Sequence, residues 1–220
     1  MIDSNIIKNN NLFSLEVSRE TSNDLLEYSS CILSKNKEIN LISYSSEKII
    51  KTRHIEDSAQ SIDFIDKNNI KICTDLGSGA GFPGIVLSIL MKHKNPLFKV
   101  IFYEKSFHKS NFLREMSKKF KLNTEVNQKN IFKEKNLETD VIISRAFKPL
   151  PTILEIASSN FRNYKYIVLY LGKSWKKILN DALKSWTFDY EQKKSLTNQD
   201  SLIVKISNIQ KKKWIKKLYQ

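Results

Sequence analysis

The stretch Thr74-Asp75-Leu76-Gly77-Ser78-Gly79-Ala80-Gly81-Phe82-Pro83-Gly84 closes the apolar run Ile70–Leu76 and opens onto Ile85-Val86-Leu87-Ser88-Ile89-Leu90-Met91. A glycine-rich loop acquires meaning from that strand-to-helix context. Glycines 77, 79 and 81 take every Cβ off one side of the turn, so a ligand can touch backbone there. Pro83 suits a first helical turn, where its missing N–H has no intrahelical partner anyway. The helix start offers amide donors and a positive dipole end, matched to a carboxylate or phosphate. Two cofactor classes satisfy the loop. Gly79-Ala80-Gly81-Phe82-Pro83-Gly84 fits the dinucleotide pattern G-x-G-x-x-G. Read from Asp75 and Gly77, the same loop gives a strand acid, an apolar residue and Gly-x-Gly-x-Gly, the order of motif I in class I methyltransferases. Glu104, at the end of the next apolar run, serves either ligand by accepting hydrogen bonds from ribose hydroxyls.

Alternation continues on both sides of the loop. Lys99–Tyr103, Asn123–Asn127, Asp140–Ser144 and Tyr166–Leu171 read as strands. Pro83–Lys92, Lys109–Phe120, Thr152–Asn160 and Trp175–Lys184 read as the helices between and after them. Strands alternating with helices of this length imply right-handed crossovers and a parallel sheet covered on both faces. Thr187–Lys193 and Ser201–Ser207 flank the turn-like Thr197-Asn198-Gln199-Asp200, an antiparallel hairpin closing the sheet. Before the loop, a helix is expected from a Thr21 or Ser22 cap to about Lys35. A second, capped by Ser46, runs to about Asp66 with Ile55, Ala59 and Ile62 as its buried stripe. Residues 1–20 read as a loose arm or frayed helix. The expected fold class is α/β, a Rossmann-like domain over 69–220 with a small helical extension over 1–68.

Of 220 residues, 37 are Lys or Arg and 23 Asp or Glu, a formal charge of +14. That balance favours a polyanionic partner, nucleic acid ahead of an anionic membrane surface. Arg is scarce among these cations, so an Arg within a motif carries more information than a Lys. No apolar stretch is long enough for a membrane span and no secretory signal is visible, so a cytoplasmic protein with reduced Cys31 and Cys73 is expected. His54, His93 and His108 are scattered and neither Cys has ligand spacing, so no metal site is expected.

Five segments in order are similar to the bacterial RsmG (GidB) family of 16S ribosomal RNA guanine-N7 methyltransferases. They are Ile39-Asn40-Leu41, Arg53-His54-Ile55-Glu56-Asp57-Ser58, the loop Asp75–Gly84, Phe112-Leu113-Arg114-Glu115, and Ile143-Ser144-Arg145-Ala146-Phe147. The resemblance spans about residues 40–173. It implies a class I S-adenosylmethionine-dependent methyltransferase fold with a helical extension. It also implies S-adenosylmethionine as cofactor and 16S ribosomal RNA, within a 30S particle or assembly intermediate, as substrate of a monomeric enzyme. Carried over by position, Gly77 and Phe82 line the cofactor loop, in which Asp75, Gly79 and Gly81 are the further cofactor-binding candidates. Glu104 stands where the family has Asp, Asn130-Ile131-Phe132 flank the adenine, and Arg145 matches an arginine of the cofactor site. Leu171-Gly172-Lys173 departs from the family's Leu-Lys-Gly.

Arg53, His54, Asp57 and Ser58 fall at i, i+3 and i+4 spacings that bring side chains together on an α-helix. Arg53, His54, Asp57 and Arg145 are therefore candidates for positioning roles in catalysis, with no general base expected. An Arg53–Asp57 ion pair that only holds the helix is the alternative. Arg145 is expected to hold a carboxylate or phosphate. Phe82 and Phe147 are candidates to stack on the target base, with core packing the alternative for Phe147. The basic segment Lys211–Lys217 around Trp214 either tracks RNA backbone or is simply solvated. Absences narrow the chemistry. The fourth strand ends in Ser144-Arg145-Ala146-Phe147, not in the Asn/Asp-Pro-Pro-aromatic signature of amino-group methyltransferases, and neither Cys sits where a C5-pyrimidine nucleophile would. An NAD-linked oxidoreductase and a non-catalytic RNA-binding protein remain the other readings.

Overall fold

The computed structural model describes residues 17–66 and 68–212. Seven strands form one sheet in the order β3-β2-β1-β4-β5-β7-β6. They are β1 (Ile72–Leu76), β2 (Lys99–Tyr103), β3 (Thr124–Asn127), β4 (Val141–Arg145), β5 (Tyr166–Leu171), β6 (Trp186–Lys194) and β7 (Leu202–Lys211). The first five pair in parallel, while β7 runs antiparallel to both β5 and β6, as the sequence predicts. The order reverses between β1 and β4, and open α/β sheets bind ligands in the crevice at that switch point.

Alternate strand residues feed two cores. Cys73, Val141, Ile143 and Val168 face one side, packed under α1 (Arg19–Asn36), α4 (Gly84–Met91) and α5 (Phe107–Lys119). Leu76, Ile142, Ile167 and Leu169 face the other, under α6 (Leu150–Asn160) and α7 (Trp175–Ser185). Helix α1 starts earlier than predicted: Ser18 is its N-cap and accepts from the Thr21 amide at 3.2 Å, so neither Thr21 nor Ser22 caps. Its Leu25, Tyr28 and Ile32 are fully buried, each contributing about 1.5–3 kcal/mol. The extension thus shares one core with the sheet.

The expected long helix before β1 is a broken helical run. It comprises α2 (Tyr44–Glu47), a π-helical turn over Lys51–Glu56, α3 (Asp57–Ala59) and a 3₁₀ stretch over Gln60–Phe64. Ser43 holds the N-cap position, and Ser46 is buried inside the run with its hydroxyl donating to the Ser43 carbonyl at 2.8 Å. Strand β7 carries on through Lys211, so the basic segment begins later than predicted. Lys211 pairs with Glu155 and Lys212 donates to the Leu183 carbonyl. Residues 213–217 of that segment, Trp214 included, lie outside the described residues, as do residues 1–16 of the expected N-terminal arm.

Candidate active site

The loop after β1 is fixed from four directions. Gly77 N–H donates to the Tyr103 carbonyl, and the Asp75 carboxylate accepts from Gly84 N at the start of α4. Tyr28 from α1 donates to the Ala80 carbonyl, and Glu104 accepts from Gly79 N at 2.9 Å. Burial pushes the Asp75 carboxyl up to about 7, opposed by the Gly84 N–H and assisted by the charge of Glu104. Asp75 is thus the pin of the loop beneath the cleft and does not line it.

The three glycines differ, which corrects the view that all clear space for a ligand. A Cβ on Gly77 would lie 2.1 Å from the Phe147 ring, and one on Gly81 would meet Ile85 at 2.5 Å and the Tyr28 hydroxyl at 2.7 Å. Only Gly79, at φ +56°, faces open space. Gly77 and Gly81 are small for the protein's own packing, and Gly79 leaves its side of the cleft open.

That cleft holds about 550 Å³ at the carboxyl ends of β1, β2 and β4. Its floor is Gly77–Ala80 with Phe82; one wall is Glu104 and Asn130–Phe132, another Arg145–Lys148, and a roof comes from Leu41, Ile42, Arg53 and His54. Six basic residues line it (Arg53, Lys105, Lys109, Lys129, Arg145, Lys148) against one acidic residue, Glu104. Glu104 accepts from Gly79 N through one oxygen and from Ser106 N through the other, and each carboxylate oxygen keeps acceptor capacity for a ribose hydroxyl. Asn130 caps the short turn that follows it by accepting from Phe132 N; Ile131 is buried, while Phe132 is half exposed. An open Gly79 position, a carboxylate acceptor and an apolar edge fit an adenosyl cofactor.

Arg145 does not reach into the cleft as a free guanidinium. It pairs with Asp57 at 3.0 Å and donates to the Arg53 carbonyl at 2.6 Å, to Ser58 Oγ at 3.4 Å and to His54 Nδ1 at 3.4 Å. Its guanidinium also lies over the rings of Phe82 and Tyr170 at 6.0 and 5.7 Å. The carboxylate it holds is therefore the protein's own Asp57. The alternative Arg53–Asp57 pair is replaced by this one: Asp57, His54 and Ser58 converge on Arg145, and the exposed Arg53 lines the cleft. Asp57 is buried with its carboxylate on Arg145 while Arg53 is exposed, and the π-helical turn over Lys51–Glu56 departs from the α-helix assumed in the i, i+4 reading.

This arrangement sets the state of His54. Burial, then the charges of Arg145 and Arg53, lower its pKa to about 3. Arginine only donates, so Nδ1 accepts and the proton sits on Nε2, 3.0 Å from Ser46 Oγ. The ring stacks on Phe82 at 4.9 Å between centroids. Phe147 lies against Gly77 and 6.4 Å from Phe132. Among the described residues no group of three His, Cys, Asp or Glu side chains is placed to hold a metal, and no helix is long and apolar enough to cross a membrane.

A sheet of this order, a glycine loop after β1 and an acid ending β2 define a class I methyltransferase. The fold is shared with a SAM-dependent methyltransferase from Aquifex aeolicus (TM-score 0.54, 17% identity, 79% of this chain and 96% of that one). It is also shared with M. jannaschii TYW2 in complex with AdoMet (TM-score 0.53, 16% identity, 73% and 77%). The family model for rRNA small subunit methyltransferase G (GidB) matches residues 21–204. A Pelagibacter ubique protein described as Ribosomal RNA small subunit methyltransferase G is 46% identical over 209 residues, 94% of this chain and 95% of that one. The chain belongs to the rRNA small subunit methyltransferase G family, and is an S-adenosylmethionine-dependent enzyme acting on ribosomal RNA. The oxidoreductase and non-catalytic readings fall with that membership.

Sequence reasoning missed several cleft residues. Leu41 and Ile42 are ordered beside the cleft by Asn36, whose Oδ1 accepts from both their amides. Lys105, Lys129 and Lys148 carried no motif and were marked only by their place just after strands, while Lys109 sits in the first turn of α5.

Proposed function

We propose that the chain methylates N7 of a guanine in small-subunit RNA, acting as a monomer in the cytoplasm on a 30S particle or assembly intermediate. The carrying observation is that, among the described residues, the cleft presents no free imidazole or carboxylate base. The His54 lone pair is taken by Arg145, and the one lining carboxylate, Glu104, is engaged by two backbone amides. N7 carries its own lone pair and needs positioning instead of deprotonation. When bound, the cofactor supplies an electrophilic methyl group on a sulfonium.

The residues named from the sequence divide by role in this proposal. Gly79 and Glu104, with Asn130, Ile131 and Phe132, hold the adenosyl part; Asp75, Gly77 and Gly81 shape the loop. Phe82, His54 and Phe147 form the flat surfaces against which a base is oriented and water is excluded. Of the helical extension expected over 1–68, Leu41, Ile42, Arg53 and His54 supply the roof, and the domain expected over 69–220 supplies the rest of the cleft. Arg53, Lys105, Lys109 and Lys148 steer phosphates. The test is methyl transfer from labelled cofactor to naked small-subunit RNA and to 30S particles, followed by nucleoside digestion. The expected product is 7-methylguanosine, with faster transfer to the particle; a methyl on an exocyclic amine or a pyrimidine carbon contradicts the proposal.

A further inference from the structure

The Asp57 carboxylate has two sides. One oxygen takes Arg145 at 3.0 Å. The other accepts from Ser195 Oγ at 2.8 Å and Thr197 Oγ1 at 3.0 Å, both in the turn joining β6 to β7. The same turn is clasped again by Gln60, whose Oε1 accepts from Leu196 N at 2.8 Å. Ser195 Oγ also accepts from the amides of Thr197 and Asn198, which orients its own proton toward Asp57. Ser195 is buried although the adjacent Leu196 is 71% exposed. None of Asp57, Gln60, Ser195 and Thr197 lines the cleft.

We infer that Ser195 and Thr197 are positioning residues for methyl transfer: the hairpin turn holds Asp57, and Asp57 holds Arg145 against the roof of the cleft. Arg145 has several donors and two ring faces near it, so its orientation is not set by one contact. A carboxylate fixed by two hydroxyl donors presents its remaining oxygen in one direction, and charge-assisted bonds of this kind are strong and directional. Arg145 so aimed donates to the Arg53 carbonyl and to His54 Nδ1. That sets where the Arg53 side chain enters the cleft and how the His54 ring lies on Phe82. Without the two hydroxyls, Asp57 keeps on that oxygen only the 3.5 Å contact from Gln60 Nε2, and Arg145 is free to turn. The inference rests on the proposed methyl transfer to RNA, and the test has one arm that does not.

The variant Ser195→Ala/Thr197→Val removes both hydroxyls at nearly constant volume. Ser195→Thr/Thr197→Ser keeps them, and Val204→Ala weakens the same hairpin through packing alone. Single-turnover rates are taken with RNA and cofactor saturating, below every melting transition. Turnover should fall at least about tenfold in the hydroxyl-free pair, since small misplacements cost that much or more. The cofactor Kd should stay within about twofold, and the hydroxyl-retaining pair and Val204→Ala should keep turnover within about twofold. If the hydroxyl-free pair does not fold, Ser195→Ala and Thr197→Val singly should each show a smaller loss in the same direction. The second arm is the ¹⁵N spectrum of the His54 imidazole. It should report one tautomer, Nε2–H, in the wild type and a mixture in the hydroxyl-free pair. Wild-type turnover in that pair, or a loss matched by Val204→Ala, overturns the inference; so does a loss with His54 shifts unchanged. Should the wild type itself transfer no methyl group to RNA, the functional reading fails and the His54 spectra alone decide whether the turn positions Arg145.

Discussion

A neutral imidazole whose lone pair faces a guanidinium is an unusual resource for an enzyme working near neutral pH. His54 is held at a pKa of about 3 against an ordinary 6.5, so between those values the unfolded chain takes up a proton that the folded chain refuses. Stability from this residue is therefore lost as pH falls from about 6.5 toward 3. Denaturant midpoints at pH 7 and pH 5 should show the wild type losing more stability than His54→Gln over that interval. Equal losses would mean that the ring is not buried neutral. In the rate, the same geometry predicts flatness. Single-turnover methyl transfer should change little from about pH 6.5 to 9, with His54→Gln slower by a constant factor. A rising limb present in the wild type and erased in the variant would make His54 a base and reopen the choice of acceptor atom.

The loop after β1 separates at the level of elements into a ligand position and a packing position. Gly79→Val places its side chain in open cleft space at φ +56°, costing roughly 1–2 kcal/mol of backbone strain while blocking the cofactor. Gly81→Ala drives a methyl group into Ile85 and the Tyr28 hydroxyl, adding roughly 1–3 kcal/mol of overpacking to similar strain. Calorimetric titration and thermal melts should therefore diverge: Gly79→Val loses cofactor binding with a modest drop in Tm, and Gly81→Ala loses mainly Tm. The reverse pattern would contradict the assignment. Much of this element was legible in the sequence, because a strand, three glycines and a proline constrain their own neighbours. The same held for β2 and β5, whose bounds match those expected. The roof was not legible. An α-helical period was assumed through Arg53-His54-Asp57, and the π-helical turn there depends on tertiary packing instead of local pattern. Nor could spacing reveal that Asp57 meets Ser195 and Thr197, some 140 residues away along the chain.

Over the whole molecule, the +14 charge becomes meaningful only where it is left unneutralised. Many lysines are paired on the surface, including Lys35, Lys99, Lys119, Lys184 and Lys205, and such exposed pairs contribute little to stability. Arg53, Lys105, Lys109 and Lys148 instead ring the cleft around a single carboxylate. RNA affinity should accordingly fall with salt, and Lys109→Ala and Lys148→Ala should each lower the slope of log K against log salt by about 0.7. Unchanged slopes would move the RNA track elsewhere on the surface. The most direct measurement is mass spectrometry of small-subunit RNA from cells with and without this protein. The proposed function predicts that one 7-methylguanosine disappears in its absence and returns with the wild-type chain, but not with Gly79→Val. An identical set of modified nucleosides in both RNAs would contradict it.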